Sequence, residues 1–248
     1  MMTNVHVRLR SDFEQVAAAF HAAPACQRFV AGEITVAEYA SMMTSIAWQA
    51  RENPQIQAYA TAFFRGHQRE LVRTFLKHAT SEIGHDQLAA DDVASLGYPI
   101  DDLFRSRPRP GAVALTAFAY YAVDHLSPVA YLGYLYFLEA LPTRYGAEYA
   151  NAMDKVGIPQ EARTFLYDHA TIDVGHNRLM ERYIAELIQS EADYALVQYA
   201  MSVTGTLYAA MVTEAFDLAP TLTAAADPMP LEQTARRAAG VLDEQLSA

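Results

Sequence analysis

Between its clusters of proline and glycine the chain runs in long uninterrupted segments, and none of them alternates apolar and polar residues in the two-residue rhythm of a strand. Segments of that length and pattern read as helices. Ser11 can cap a first helix ending near Ala23, just before Pro24, and residues 28–35 read as a connector. Thr35 and Glu38 then form a capping box, the side chain of each satisfying a backbone N–H of the other's turn. That helix is expected to stop near Glu52, where Asn53-Pro54 follows. A stretch from Gln55 to Leu96 has a joint at Gly66, and Gly97-Tyr98-Pro99 ends it. Further helices are expected at about 111–125, 128–141, 146–156, 160–189 and 191–217, with a short last one after a TAAADPMP segment. The expected fold is all-α, one domain over residues 1–248 with about seven to nine helices.

Composition narrows the function more than the fold. With 52% hydrophobic and 19% charged residues the chain can bury a sizeable core. A formal charge of -11 disfavours nucleic acid and anionic membrane as partners, since both call for a basic face. The single cysteine, Cys26, rules out an intrachain disulfide framework and fits a reducing cytoplasm. The apolar stretch from Ala112 to Leu141 is broken by Asp124, His125 and Pro128 and reads as buried helix rather than a membrane span.

Three sequence elements carry metal chemistry. In LKHATSEIGHDQL, Glu82 and His85 stand three apart and on a continuous helix would share a face. In LYDHATIDVGHNRL, His169, Asp173 and His176 recur at i, i+4 and i+7, which returns to one face after two turns. Glu139 lies between them in LYFLEALP, a carboxylate among apolar neighbours that needs a cation or a proton once buried. Three histidines and three carboxylates suit iron or manganese better than zinc and leave open coordination positions. Helix bundles build dinuclear sites from donors of this kind. Glu52 is a candidate further ligand. His78, one turn before Glu82, is expected to support the site by hydrogen bonding, with His85 as the ligand of that segment.

These residues resemble the haem-oxygenase-like diiron oxidases, which share the helical fold of haem oxygenase and of the thiaminase II (TenA) proteins. Glu82 with His85 matches the family's first element, Glu139 its second, and His169, Asp173 and His176 its third, over roughly residues 28 to 217. The resemblance implies a haem-oxygenase-like helical bundle, a non-haem diiron cofactor, O2 as co-substrate and an external reductant. It also implies oxidation of a small molecule: members N-oxygenate amines, desaturate or cleave amino acids, or oxidatively decarboxylate fatty acids. Thiaminase II would need a mid-chain cysteine, and Cys26 is near the start. Haem oxygenase would need an early proximal histidine such as His21, which leaves the six other residues unexplained. A ferritin-like scheme has no use for His169.

The reading favoured here is N-oxygenation of a small amine or amino-acid-derived substrate, with oxidative cleavage, desaturation or decarboxylation as alternatives at the same site. A non-catalytic iron-binding protein and a metal-free helical module are the alternatives of another class. Tyr136, Thr204, Tyr208 and His125 are the expected pocket residues, and their mixed polarity suits a compact substrate better than a long-chain acid. The expected partners are that substrate and an unspecified electron donor, with no nucleic acid and no membrane; a homodimer is allowed for.

Overall fold

A computed structural model describes residues 5–101 and 103–222, without the side chains of residues 168–178. The described residues form nine α-helices and no strand. In chain order these are α1 (Val5–Ala22), α2 (Pro24–Ala31), α3 (Val36–Thr61), α4 (Val72–Ser81), α5 (His85–Ser95), α6 (Pro110–Tyr121), α7 (Tyr131–Val156), α8 (Thr164–Leu187) and α9 (Glu191–Leu218). The expected short last helix lies outside the described residues.

Local chemistry explains most of the boundaries. The Thr35–Glu38 capping box forms: the Thr35 hydroxyl accepts from the Glu38 N–H at 3.1 Å, and the Glu38 carboxylate accepts from the Thr35 N–H at 2.7 Å. The first half of the segment 28–35, read as a connector, instead belongs to α2, which has Pro24 at its first position and Gly32 at its end with φ +68, the left-handed conformation glycine adopts at little cost.

Two prolines expected to end helices do not. α3 passes through Pro54 and α7 through Pro142. The Asn53 side chain, which could have closed a local turn, is instead engaged at a distance. Its Oδ1 accepts from Gln49 Nε2 at 2.6 Å and from the Tyr134 hydroxyl at 2.9 Å. At Pro142, where the proline ring disturbs the preceding turn, the Thr143 hydroxyl donates to the Glu139 carbonyl at 2.9 Å.

α9 is the common partner of α1, α2, α3, α6 and α7. The span Glu191–Thr221 is long and apolar enough to cross a membrane, and its buried Val197, Met201 and Met211 line the core of this fold. A Cβ at Gly133 would collide with the Val197 carbonyl oxygen, so this glycine lets α7 lie directly on α9. α3 packs on α4, α5 and α6, and α8 packs on α5 and α7. Of the segments that carry candidate ligands, α5 and α7 thus both adjoin α8, and α4 lies beside α5 on α3.

Candidate metal centre

Glu82 and His85 do not share a helix. Gly84, at φ +102, breaks the path, so Glu82 caps the C-terminus of α4 and His85 opens α5. The turn still keeps the side chains together, with His85 Nδ1 3.1 Å from Glu82 Oε2. A continuous-helix register is therefore the wrong reason for a contact that does exist.

His78 occupies the middle of the group. Its Nε2 lies 3.3 Å from Glu139 Oε1 and 3.6 Å from Glu82 Oε1, so α4 and α7 meet through this ring. One ligand atom from each of His78, Glu82 and Glu139 falls within 4.8 Å of the others. Their side chains are 0%, 6% and 9% exposed, and two carboxylates this far from water need compensating positive charge. Sequence reasoning expected His78 to act through hydrogen bonds; its contact with both carboxylates also gives it a ligand's position.

Aromatic side chains close the group off. The His78 ring lies over Tyr183, with centroids 6.1 Å apart, and Tyr183 packs on Phe75. Burial first, then the Glu139 carboxylate, pushes the Tyr183 phenol above its usual range. Burial does the same to Tyr131, helped by Tyr134, Glu139 and Glu82. Both phenols therefore stay protonated at neutral pH, and neither hydroxyl has a hydrogen-bond partner among the described residues.

The remaining expected residues are dispersed. Glu52 is half-buried and accepts from the Tyr120 hydroxyl at 3.2 Å, outside the His78–Glu82–Glu139 group. Burial, with Glu52 beside it, pushes Tyr120 up to about 12. The four expected pocket residues have separate partners. Tyr136 meets Phe13 of α1 edge-on, Tyr208 stacks on Phe20 of α1, and the Thr204 hydroxyl donates to the Ala200 carbonyl of its own helix. His125 is exposed on a π-helical turn against Tyr121. Cys26 is buried and its thiol is pushed up to about 12 by that burial, so it is no nucleophile.

The side chains of His169, Asp173 and His176 lie outside the described residues. The α8 backbone is helical throughout, so the three positions share a face by register. Sequence reasoning missed what fixes that register. Asp92 of α5 accepts from the Thr164 N–H at 2.8 Å, the Thr164 hydroxyl at 2.6 Å and the Phe165 N–H at 3.0 Å, capping the start of α8. The Tyr39 hydroxyl holds the preceding turn through the Ala162 carbonyl at 2.8 Å.

It also missed a buried polar row on α3. Ser45, Gln49, Asn53 and Gln57 recur every four residues, and Gln49 and Asn53 bond to each other and to Tyr134. Gln57 is fully buried, and neither of its amide atoms, nor the Ser45 hydroxyl, has a partner among the described residues. The i, i+4 spacing of these amides was the available signal.

Residues 47–204 match the model of a family described as iron-containing redox enzymes, and the chain belongs to that family. The structure resembles a domain of unknown function with a heme oxygenase-like fold from Shewanella denitrificans. That likeness has a TM-score of 0.76 and 22% identity, over 88% of this chain and 92% of that one. It also resembles a TenA homologue from P. horikoshii, with a TM-score of 0.67 and 11% identity over 86% and 98% of the two chains. The all-α fold is thus haem-oxygenase-like. A comparison with curated proteins finds no match. The donor set fits the family's metal: one imidazole and two carboxylates in a nearly dry group suit iron.

Proposed function

We propose that this protein is an O2-dependent non-haem diiron oxidoreductase acting on a small nitrogen-bearing substrate, with N-oxygenation as the favoured outcome. The observation that carries the reading is the buried His78–Glu82–Glu139 group in a chain of an iron-containing redox family. His78, Glu82, His85 and Glu139 would hold the metals together with His169, Asp173 and His176 of α8. Iron bound there would supply the redox chemistry that activates O2.

The chain's own residues set the conditions. Phe75, Tyr131 and Tyr183 exclude water from the carboxylates, and a dry site strengthens every electrostatic interaction within it. Tyr131 and Tyr183 keep their protons and can donate hydrogen bonds without adding charge. The row Ser45, Gln49, Asn53 and Gln57 supports a polar substrate. A buried amide left unsatisfied costs about 1–3 kcal/mol, so a ligand or ordered water that bonds Gln57 offsets a real cost.

The test is O2 uptake by iron-loaded protein offered amines, amino acids and C10–C16 fatty acids in parallel. Acceleration by amines or amino acids, with an oxygenated nitrogen in the product, is expected. Acceleration by fatty acids alone overturns the substrate class, and uptake that no organic compound raises leaves an iron-binding protein without turnover.

A further inference from the structure

α4 has two faces of opposite character. The inner one carries Phe75, His78 and the capping Glu82, all buried. The outer one exposes Arg69, Arg73 and Lys77 at four-residue spacing, beginning in the 3-10 turn that leads into the helix. Leu76, 42% exposed, lies among these cations, and Ile83, 67% exposed, follows in the turn after the helix. Arg69, Val72, Arg73, Leu76, Lys77 and Thr80 line one shallow depression.

Three cations in a row are unexpected on a chain of formal charge -11. None of the three makes an ion pair among the described residues. Elsewhere on the surface four arginines are matched, Arg8 with Glu191, Arg51 with Asp86, Arg144 with Glu14 and Arg182 with Glu186, and the exposed ones without an ion pair among the described residues, such as Arg10 and Arg107, stand singly rather than in a row. Glu70 is the one exposed acid in the segment 66–83. A basic stripe with exposed aliphatic side chains is the complement of an acidic protein surface.

We propose that the outer face of α4 docks an acidic one-electron carrier protein that delivers reducing equivalents to the centre on the inner face. This rests on the oxidase reading above, which requires an electron source. The balance for N-oxygenation is R2NH + O2 + 2 e− + 2 H+ → R2NOH + H2O. One oxygen atom forms the new N–O bond, the O–O bond breaks, and the other oxygen leaves as water. The two electrons come from two successive one-electron oxidations of the carrier. A docked carrier is separated from His78 and Glu82 by one helix width, about 10–12 Å. A compact carrier also meets only this stripe within a Debye length of about 8–10 Å, whereas an anionic membrane would face the acidic remainder of the surface as well.

The experiment uses the full chain loaded with iron and a plant-type [2Fe–2S] ferredoxin as the acidic probe. Binding is measured at low and high salt for wild type, for Lys77→Glu alone and for Arg69→Glu/Arg73→Glu/Lys77→Glu, with Arg107→Glu as an exposed control elsewhere. Circular dichroism verifies that each variant is folded. Wild type and the control should bind, with affinity falling at least tenfold on triple reversal and on raising salt. Lys77→Glu alone should give an intermediate loss. Ferredoxin-driven turnover should fall in parallel, while the first turnover of pre-reduced protein stays unchanged. No binding by wild type, or equal binding by wild type and the triple variant, overturns the docking site. Loss of binding to phosphatidylserine vesicles in place of ferredoxin reassigns the face to a membrane. Absence of a first turnover in pre-reduced wild type refutes the oxidase reading separately, and the binding data still decide the docking.

Discussion

At the scale of single residues, His78 is where structure adds most to sequence. Spacing alone ranks His85 above it, because Glu-x-x-His is a familiar ligand pair. In the structure His78 touches both Glu82 and Glu139, and His85 touches Glu82. His78→Ala is therefore expected to lower Fe(II) affinity by at least the 10–100-fold typical of losing a supporting residue, and by more than His85→Ala does. Competition with a chromophoric chelator, at matched helix content, checks it. A milder effect of His78→Ala than of His85→Ala would restore the ranking drawn from spacing. The reason the sequence misleads here is Gly84. A glycine three residues from a helix end is equally compatible with a continuous helix and with a left-handed turn, and only the tertiary contacts decide.

At the scale of elements, the sequence was legible where a helix end is chemically marked and illegible where a long-range contact overrides the local signal. The Thr35–Glu38 box was readable because both partners lie within one turn. Asn53-Pro54 misled because Asn53 bonds to Tyr134, 81 residues away. The Asp92 cap on α8 is of the same kind, joining residues 72 apart. Asp92→Ala should cost about 1–2 kcal/mol, the range for losing an N-cap. Burial pushes the Asp92 carboxyl from 3.8 up to about 6, against the hydrogen bonds from Thr164 and Phe165. A raised folded-state pKa contributes stability below 3.8 that is lost as pH rises through about 6. The destabilisation by Asp92→Ala should accordingly be larger at pH 5 than at pH 7 in denaturant titrations. A larger effect at pH 7 would mean that the carboxylate anion makes the cap.

At the scale of the whole molecule, the helical segments and their long uninterrupted runs were enough to give the all-α fold, and the three elements of candidate ligands were enough to suggest the family. The substrate side was not legible. Tyr136 was read as a pocket residue from its place on the Glu139 side of its helix and Tyr208 from the stripe it shares with Met201, Thr204 and Met211; the structure adds that their rings meet Phe13 and Phe20 of α1. The four-residue spacing of the polar row on α3 is present in the sequence, and burial is what separates the row from the chain's many other polar residues. The central claim is that the helices around His78, Glu82 and Glu139 exist to hold two irons. Its most direct test is anaerobic titration of the apoprotein with Fe(II), followed by desalting and metal analysis of wild type and Glu139→Ala. Close to two irons retained per wild-type chain, and a clear loss in Glu139→Ala, are predicted. Wild-type protein that retains no iron while supporting full substrate oxidation would contradict the account.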